Sequence, residues 1–536
     1  MTPYESLHDT VRAGASALGA AEVASVKLEV PPRPELGDYS TNAALVLAQR
    51  LGLAPREVAG RLAVELQARL GAVLERTEVA GPGFVNLHLR DAWYVDALAS
   101  LLAQGERFGS ATLGEPVPIN VEFVSANPTG PLHIGHARYA AYGDSLSRIL
   151  GFRGYDVTRE FYINDSGSQV VKLGESVRAR ALGEPVPQDG YHGDYVATLV
   201  PAERARVLDI ERLAWEACEA CLAQIRASLE SFGVRFDVWF SERSLHRDRK
   251  VERVLEALAE RGETFTEDGA LWLRTTAHGD DKDRVLVRSG GDHTYFTSDI
   301  AYLEDKLERG FARILFVWGA DHHGYIARIK AACAALGADP DAVEMVIGQF
   351  VHLLGVEGRT AMSKREGEYV TLDELVAEIG VDAARFFLLA RSHDTTVDLD
   401  LDLAVSESAE NPVYYVQYAH ARIASILERA GEDRVAAACA ELAPVEPLHA
   451  SERALLQRLL AFPSELAEAT ERRAPHRVAS YALELAQEFT AFYRDCHVLG
   501  VEPAATESLR LALCFSAREV IARALWLLGV SAPSRM

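Results

Sequence analysis

The chain has 536 residues, of which 49% are apolar, and it carries a formal net charge of −23. This length predicts three or four domains with a large core, and no apolar run reaches the roughly eighteen residues that a membrane span needs. The charge argues against a non-specific nucleic-acid binder, which requires a basic surface, but it leaves RNA recognition through local contacts open.

The start of the chain and its cysteines favour a cytoplasmic protein. The first residues, MTPYESLHDT, are polar and acidic, unlike a secretory signal. Six cysteines in so long a chain do not predict a disulfide framework. Cys218 and Cys221 form one CxxC pair inside a helical stretch, and because no second pair accompanies it, a zinc or redox site is the less favoured interpretation.

Residues 1–112 are predicted to form a separate α+β domain. Its last strand, 84–89, alternates with period two, so that its second, fourth and sixth residues would pack on the helices. Phe84, Asn86 and His88 lie on the other face, where they could stack on and hydrogen-bond an unpaired base. An ordinary solvated sheet face is the alternative, and the local sequence favours it. Helical periodicity precedes this strand at 4–19, 41–50 and 56–70.

A strand-to-helix turn follows the first domain. The apolar run 117–124 predicts a buried parallel strand, and 135–150 predicts a helix. His133 and His136 would then lie at the turn, where backbone N–H groups and the helix dipole favour phosphate. Two imidazoles there could donate hydrogen bonds to a phosphoryl group in the transition state, and Gly135 leaves room for a flat ring. Zinc binding or simple capping by the two histidines is the alternative.

Strands and helices alternate over residues 113–404, which predicts a doubly wound parallel sheet. The stretch 175–275 interrupts this alternation with a long helical pattern and a hairpin that turns at Asp268-Gly269, and we interpret part of it as an insertion between the two halves of the nucleotide fold. Further strands are predicted at 156–163, 312–318 and 343–348, and further helices at 168–182, 299–309, 323–336 and 371–379.

Residues 405–536 are predicted to be helical throughout, as a bundle. A linker rich in Ala, Glu and Pro, 431–450, would separate the first two helices. The helical segments are 411–430, 451–470, 475–496 and 505–529.

Two motifs late in the alternating region also suit a nucleotide. The stretch GRTAMSKREG, 358–367, combines glycines, a hydroxyl and three cations, and Lys364 could neutralise a leaving pyrophosphate; a solvated basic turn is the alternative. The stretch WGADHHG, 318–324, ends a strand, where an acidic residue after glycine suits ribose hydroxyls. Its Asp-His-His triple could instead bind a metal.

The stretch YFTSD, 295–299, bears on the other substrate. Tyr295 and Asp299 are four residues apart and would share one helical face if Tyr295 lies in the first turn. A carboxylate at Asp299 could accept two parallel hydrogen bonds from a guanidinium. The alternative is an N-cap aspartate beside a core tyrosine, which the local sequence favours.

Taken together, these motifs resemble the arginyl-tRNA synthetase family, which belongs to the class I aminoacyl-tRNA synthetases. His133-Ile134-Gly135-His136 resembles their HIGH signature, and AMSKREG, 361–367, resembles their KMSKS loop, with Ala361 where that pattern often has its first lysine. The resemblance also rests on VEFVSANPTGPLHIGH (121–136), YHGDYV (191–196), FDVWFSE (236–242), TYFTSDIAY (294–302), WGADHHGY (318–325), NPVYYVQYAHARI (411–423) and SAPSRM (531–536).

The resemblance implies a doubly wound, Rossmann-like catalytic core (113–404), an N-terminal domain that binds the tRNA elbow, and an all-α anticodon-binding domain (405–536). It also implies site residues. The implied catalytic residues are His133, His136 and Lys364, within a HIGH region that comprises Ala126, Asn127, Pro128, Thr129, Gly130, Pro131, Leu132, His133, Ile134, Gly135 and His136. ATP would contact Gly135, Gly319, Asp321, His323, Met362 and Ser363. Arginine would contact Glu122, Ser125, Asn127, Glu242, Tyr295 and Asp299. The tRNA would contact Phe84, Asn86, Tyr415, Tyr418 and Met536.

The function implied is that of an arginine–tRNA ligase that uses ATP with Mg²⁺ and no dedicated protein metal site. Its partners would be tRNA(Arg), L-arginine and ATP, without a membrane, and we expect a monomer. Two other functions remain open at this point. One is a nucleotidyltransferase that acts on a small acid without tRNA, against which the extra domains argue; the other is a non-catalytic RNA-binding relative, against which His133, His136 and Lys364 argue.

Overall fold

The computed structural model describes residues 2–19, 26–111, 114–354 and 370–536, without the side chains of Pro34, Asp321, His322 and His323. Within these ranges, no helix is long and apolar enough to cross a membrane.

The N-terminal part packs three helices on one face of a four-stranded antiparallel sheet of order β1-β2-β4-β3. The alternate apolar residues of β4 are fully buried, as the period-two pattern predicts. A fourth helix leads to the next region. The elements are α1 (Pro3–Ala17), β1 (Leu28–Glu29), β2 (Tyr39–Thr41), α2 (Ala43–Leu51), α3 (Pro55–Leu70), β3 (Leu74–Ala80), β4 (Phe84–Leu89) and α4 (Asp91–Gln104).

The central region is built on a five-stranded sheet of order β12-β11-β5-β6-β7, in which all four strand pairings are parallel. Helices cover both faces, so the predicted doubly wound fold is confirmed. The elements of its first half are β5 (Pro118–Phe123), α5 (Ile134–Phe152), β6 (Asp156–Ile163), α6 (Ser168–Leu182), α7 (Ala202–Val207), α8 (Ile210–Ser231) and β7 (Val238–Ser241).

The second half returns the chain to the other side of β5. It comprises α9 (Glu242–Arg247), α10 (Lys250–Glu260), β8 (Thr264–Glu267), β9 (Ala270–Leu273), β10 (Arg284–Val287), α11 (Tyr295–Glu308), β11 (Arg313–Gly319), α12 (Ile326–Ala335), β12 (Val343–Gly348), β13 (Val351–Leu354), α13 (Leu372–Leu389), β14 (Val397–Asp400) and α14 (Leu401–Val405). The predicted hairpin is present, because β8 and β9 pair in antiparallel fashion around Asp268 and Gly269, which both have positive φ.

Part of the stretch 175–275 belongs to the main sheet. Its strand β7 pairs in parallel with β6 and forms the edge of the main sheet, so the chain returns to the core within this stretch. An edge strand pairs with one neighbouring strand, and four residues are enough for such a pairing. The helices before β7 and the three-stranded sheet after it lie outside the five-stranded sheet.

The C-terminal part is helical, as predicted, with α15 (Pro412–Ala430), α16 (Glu432–Ala440), α17 (Ala450–Glu471), α18 (Pro475–Asp495) and α19 (Ala504–Leu528). The prediction of a linker over 431–450 is wrong for its first half, where α16 packs on α19. The reason is that Val435 and Ala438 are buried on one face, which stabilises a short helix despite its polar surroundings.

Two arginines, one half-buried and one fully buried, join these parts. Arg453 on α17 lies 3.0 Å from Asp38 and 2.6 Å from Asp91, both in the N-terminal part. Arg385 on α13 is fully buried, pairs with Asp144 on α5 at 2.5 Å, and donates to the Leu528 carbonyl at the end of α19. A guanidinium can hold several such acceptors at once, so Arg453 fixes the helical bundle to the N-terminal part and Arg385 fixes it to the central region.

Candidate active site

A cavity of about 920 Å³ opens at the carboxyl ends of β5 and β11. From β5 the chain proceeds to β6 and β7 on one side, and β11 and β12 lie on the other, so this is the point where the strand order reverses. Doubly wound sheets bind ligands at this point. The described residues that line the cavity include ten of the predicted ones: Glu122, Ser125, Ala126, Asn127, His133, Ile134, Gly135, His136, Asp299 and Gly319.

The histidine turn is built by its own hydrogen bonds. His133 is the N-cap of α5, and its Nδ1 accepts from the Gly135 N–H at 3.1 Å, while His136 Nδ1 accepts from the His133 N–H at 3.3 Å. The two rings stack with centroids 3.8 Å apart. A Cβ at position 135 would lie 2.9 Å from the His133 ring, so only glycine fits there. The hydrogen bonds that cap α5 therefore also fix the positions of the two imidazole rings.

Both imidazoles are neutral in this setting. Burial lowers the pKa of His133, and burial together with the His133 ring lowers the pKa of His136 to about 3. Since each Nδ1 accepts a hydrogen bond, a neutral ring carries its proton on Nε2. The turn therefore offers two N–H donors without positive charge, next to a helix N-terminus that favours anions.

The turn is also tied to the start of α13. The Ile134 N–H donates to the Val370 carbonyl at 3.0 Å, and the Leu372 N–H donates to the Leu132 carbonyl at 2.8 Å. Of the residues between strand and turn, Asn127 donates to Gln169 at 2.8 Å, and the Thr129 carbonyl accepts from the Tyr195 hydroxyl at 2.6 Å. The described residues 128–132 support the turn from outside the cavity lining: Pro128, Thr129, Gly130, Pro131 and Leu132.

The opposite end of the cavity is acidic. Asp299 lies in the second turn of α11 and accepts from the Tyr325 hydroxyl at 2.6 Å. Burial raises the pKa of Asp299 to about 7; Glu242 and Glu122 add to the rise, and the Tyr325 hydrogen bond opposes it. The N-cap of α11 is Thr294, so the alternative of an N-cap aspartate at 299 does not hold.

Glu242 stands behind this end of the cavity. It is buried at the start of α9, and burial raises its pKa against hydrogen bonds from Ser166 and Tyr162. Tyr162 itself lines the cavity, and the charge of Glu242 acts on Asp299. Tyr295 occupies the first turn of α11 as predicted, but its side chain is 69% exposed and it is not among the described residues that line the cavity.

A buried polar cluster lies under the acidic end. Glu122 on β5 and Glu160 on β6 are direct register partners, and Lys306 lies 3.0 Å from the first and 3.2 Å from the second. Glu160 also accepts from Asn120 at 3.0 Å and pairs with Arg309 at 2.6 Å. Burial alone would raise the pKa of Glu160, but Lys306, Arg309 and Tyr302 together lower it to about 2.

Arg138, two residues after His136, holds one wall of the cavity. Its buried guanidinium donates to four main-chain carbonyls, at 2.8 Å to Gln349, 3.2 Å to Phe350, 2.8 Å to Ser392 and 2.7 Å to Thr395. Phe350 and Val351 line the cavity beside the histidine turn. Only a planar group with five donors can satisfy four carbonyls in this way.

Several predicted ATP contacts lie outside the described residues. These are Met362, Ser363 and Lys364, in the stretch 355–369, and the side chains of Asp321 and His323. Gly319 is described; it ends β11 and lines the cavity.

The face of β4 that is predicted to contact an unpaired base is only partly exposed to solvent. Phe84 is 37% exposed, whereas Asn86 is 2% exposed and so is not available on the free surface. The prediction of a solvated face is wrong at Asn86, because β4 is a central strand with Ser40 and Glu78 as its cross-strand neighbours. His88 is half-buried, and its ring lies 3.3 Å from a Cβ placed on Gly37.

The C-terminal helices form an aromatic pocket of about 250 Å³ that includes Tyr415 and Tyr418. Tyr418 is 41% exposed and stacks on Tyr414 with centroids 6.0 Å apart. Arg422 lies 4.7 Å from the Tyr418 ring centroid and 2.5 Å from its hydroxyl. Met536 is also exposed, and the chain end near it is fixed by His420, whose Nδ1 lies 2.8 Å from the Pro533 carbonyl.

Metal binding has little support in the described part of the chain, where no group of three His, Cys, Asp or Glu could hold an ion. Cys218 and Cys221 are buried on α8, and burial raises the pKa of both thiols to about 12. Such thiols are poor zinc ligands, since zinc binds the thiolate.

The switch-point cavity, the histidine turn and the separate helical bundle are the features of a class I aminoacyl-tRNA synthetase. Comparison with known families agrees: residues 97–180 and 209–425 match the family described as "tRNA synthetases class I (R), catalytic domain", residues 5–89 match "Arginyl tRNA synthetase N terminal domain", and residues 416–536 match "DALR anticodon binding domain".

Individual relatives cover nearly the whole chain. An arginine–tRNA ligase of Geobacillus thermodenitrificans is 46% identical, with 99% of each chain covered, and one of Bacillus subtilis is 44% identical, with 99% of this chain and 98% of that one covered. The solved arginyl-tRNA synthetase of Thermus thermophilus has the same fold, with a TM-score of 0.81 and 24% identity over 99% of this chain and 100% of that one. The chain belongs to the arginyl-tRNA synthetase family.

Sequence reasoning missed three residues that shape the site. Tyr325 lies within the motif at 318–325 and lines the cavity, but its hydrogen bond to Asp299 could not be read from the motif. Lys306 follows Asp299 by seven residues, which is the spacing of one helix face. Arg138 carries no local signal, because its four acceptors come from stretches more than 200 residues away.

Proposed function

We infer that this chain is an arginine–tRNA ligase, and we propose how its residues divide the reaction. Family membership over nearly the whole chain carries the activity. In the first step the arginine carboxylate attacks the α-phosphorus of ATP, which gives arginyl-adenylate and releases pyrophosphate. In the second step a terminal ribose hydroxyl of tRNA(Arg) attacks the activated carbonyl, and AMP leaves. Neither step requires a covalent bond to the protein.

Arginine binds at the acidic end. Asp299 receives the guanidinium, Glu242 reinforces the negative field from behind, and Glu122 lies at the floor of the same cavity. Ser125 and Asn127, which follow β5 and line the cavity, take the α-amino and carboxylate groups. Tyr295 would have to turn inward from its exposed position to join them.

ATP binds at the histidine end. The Nε2–H groups of His133 and His136 donate to phosphate oxygens as charge develops, and Gly135 and Gly319 provide flat backbone for adenosine. Asp321, His323, Met362, Ser363 and Lys364 complete this half by the family resemblance. Mg²⁺ enters with the ATP phosphates, which are its preferred ligands.

The tRNA is held at two further places. The aromatic pocket with Tyr415 and Tyr418 offers stacking surfaces to anticodon bases, and Met536 lies at the nearby chain end. Phe84 offers one exposed ring in the N-terminal part, and a contact from Asn86 would require a rearrangement that uncovers it. Domain limits at 112/113 and 404/405, a monomeric state and a cytoplasmic location stay predictions.

ATP–pyrophosphate exchange tests the proposal. We expect exchange with arginine among the twenty amino acids, and charging of tRNA(Arg) when tRNA is added. Exchange with a small acid other than arginine and no tRNA charging would favour a different nucleotidyltransferase. Binding of tRNA without any pyrophosphate release, in the presence of arginine and ATP, would favour a non-catalytic relative.

A further inference from the structure

One face of α11 points into the protein along most of its length. Asp299, Tyr302 and Lys306 lie at positions i, i+3 and i+7, the spacing of a single helix face. The first two line the cavity, and the third is fully buried beneath it. A buried ammonium is costly unless acceptors surround it, so the contacts of Lys306 indicate what it is for.

Lys306 Nζ donates to one side-chain oxygen and forms ion pairs with two others, all from the sheet. It lies 2.5 Å from Asn120 Oδ1, 3.0 Å from Glu122 Oε2 and 3.2 Å from Glu160 Oε1. Glu122 and Glu160 face each other on neighbouring strands, so their carboxylates would repel without a cation between them. Glu160 has a second cation, Arg309, at 2.6 Å.

Glu122 uses its two oxygens differently. Oε2 contacts Lys306 below, and Oε1 accepts from Ser125 Oγ at 3.1 Å, on the side of the cavity. Glu122 and Ser125 both line the cavity. Resting on the proposed function, we propose that Lys306 is a positioning residue for arginine: it offsets the repulsion between Glu122 and Glu160 and holds the Glu122 carboxylate at the cavity floor, so that Glu122 can attract the cationic substrate.

The charged and titratable groups around this carboxylate come from every side. Glu160 and Tyr162 lie on β6, Glu242 lies on α9, and α11 contributes Asp299, Tyr302 and Arg309. Among these described groups Arg309 is the one cation besides Lys306 itself, and it pairs with Glu160 and Asp305. Without Lys306 the facing pair Glu122 and Glu160 would therefore share a proton at neutral pH, as close carboxylates do.

Lys306→Met tests this directly. Arginine and ATP dissociation constants are measured separately, by calorimetry, for the variant and the wild type from pH 6.5 to 9.5. We expect the variant to bind arginine about tenfold more weakly at pH 7 and ATP unchanged, with the ratio of variant to wild-type arginine constants falling toward about one as rising pH ionises the pair. A merely structural role would give a loss without that recovery.

Matched variants separate charge from packing. Lys306→Arg keeps a cation and should bind arginine within about threefold of the wild type. Arg309→Met removes the other cation of the cluster without touching Glu122, and it should change arginine binding less than Lys306→Met does, with no recovery at high pH.

A double variant keeps the proposal testable if Lys306→Met alone does not fold. Glu122→Gln together with Lys306→Met removes one buried charge of each sign, and it leaves Glu160 with Arg309. If Lys306 acts through Glu122, the double variant should bind arginine as Glu122→Gln alone does. An additional loss in the double variant, equal weakening of arginine and ATP, or a loss that does not change with pH would each overturn the proposal. Absence of arginine-dependent exchange in the wild type would instead overturn the proposed function.

Discussion

The two ends of the cavity respond to burial in the same way, yet they meet their substrates differently. At the histidine end, burial lowers the pKa of His133 and His136, and the rings are neutral donors. At the acidic end, burial raises the pKa of Asp299 to about 7 and also raises the pKa of Glu242. Desolvation thus disfavours the charged form of the histidines at one end and of these two carboxyl groups at the other.

The two substrates require different charge states of the protein groups that bind them. A guanidinium keeps its charge at any pH and needs an ionised carboxylate, so arginine has to displace a proton from Asp299. Phosphate oxygens need N–H donors, which the neutral rings already provide through Nε2. We therefore expect arginine binding to depend on pH near neutrality, whereas the contribution of His133 and His136 to phosphate binding should not.

Removing the charge at the acidic end should have the largest effect. Asp299→Asn keeps the side-chain volume but points an amide donor at a guanidinium donor, and arginine affinity should fall by about 3–5 kcal/mol. ATP affinity should barely change, because the histidine end is intact. Separate calorimetric titrations check both statements. Equal weakening of arginine and ATP would make Asp299 a structural residue.

Removing a donor at the histidine end should come next. His136→Ala should slow single-turnover adenylate formation by about a hundredfold at saturating arginine, the usual cost of one preorganised donor. In the wild type this rate should not fall between pH 6 and 8 through imidazole titration, since the pKa of His136 is lowered to about 3. A rate that follows an ionisation near pH 6.5, lost in the variant, would mean that the ring acts as a cation.

Proton displacement at Asp299 should give a smaller effect. A carboxyl with a pKa raised to about 7 is protonated below that pH, and the protonated form cannot pair with arginine. The arginine dissociation constant should therefore rise about tenfold from pH 8 to pH 6, while that of ATP stays constant. A flat arginine profile would mean that the acidic end is ionised before arginine arrives.

Changes far from the cavity should leave both ends unaltered and have the smallest effect. Phe84→Ala should weaken tRNA binding by about 1 kcal/mol, which is the lower end of the range for loss of one stacked base. Arginine and ATP constants in the absence of tRNA should match the wild type. Filter binding of tRNA(Arg) measures the first quantity, and an unchanged value would return Phe84 to an ordinary exposed ring.

Much of the nucleotide fold was predictable because its signals are local. The apolar strand β5, the turn and α5 follow one another within 35 residues, and their order alone places the histidines at a sheet edge. The sequence also shows two polar residues, Asn120 and Glu122, within the apolar run of β5, but it does not show why they are there. Glu160 and Lys306, the partners of Asn120, lie 40 and 186 residues away from it, so only the fold brings these groups together.

The wrong predictions share the same cause. Asn86 alternates with buried apolar residues and so predicts exposure, but a central strand is covered by its neighbours, and the pattern within β4 does not contain them. The edge strand β7 is too short for periodicity to separate it from the helices before it. Local sequence identifies elements, whereas the burial of a polar side chain depends on strands elsewhere in the chain.

The four carbonyls around Arg138 have a consequence for how the molecule opens. Gln349 and Phe350 can separate from α5 only if their two charge-assisted hydrogen bonds with Arg138 break, and the same guanidinium also holds Ser392 and Thr395. The wall and the histidine helix should thus unfold as one cooperative unit. In native-state hydrogen exchange, the Gln349 amide, which donates to the His393 carbonyl, and the Val397 amide, which donates to the Phe350 carbonyl, should exchange at rates like those of the α5 interior and much more slowly than amides of exposed loops.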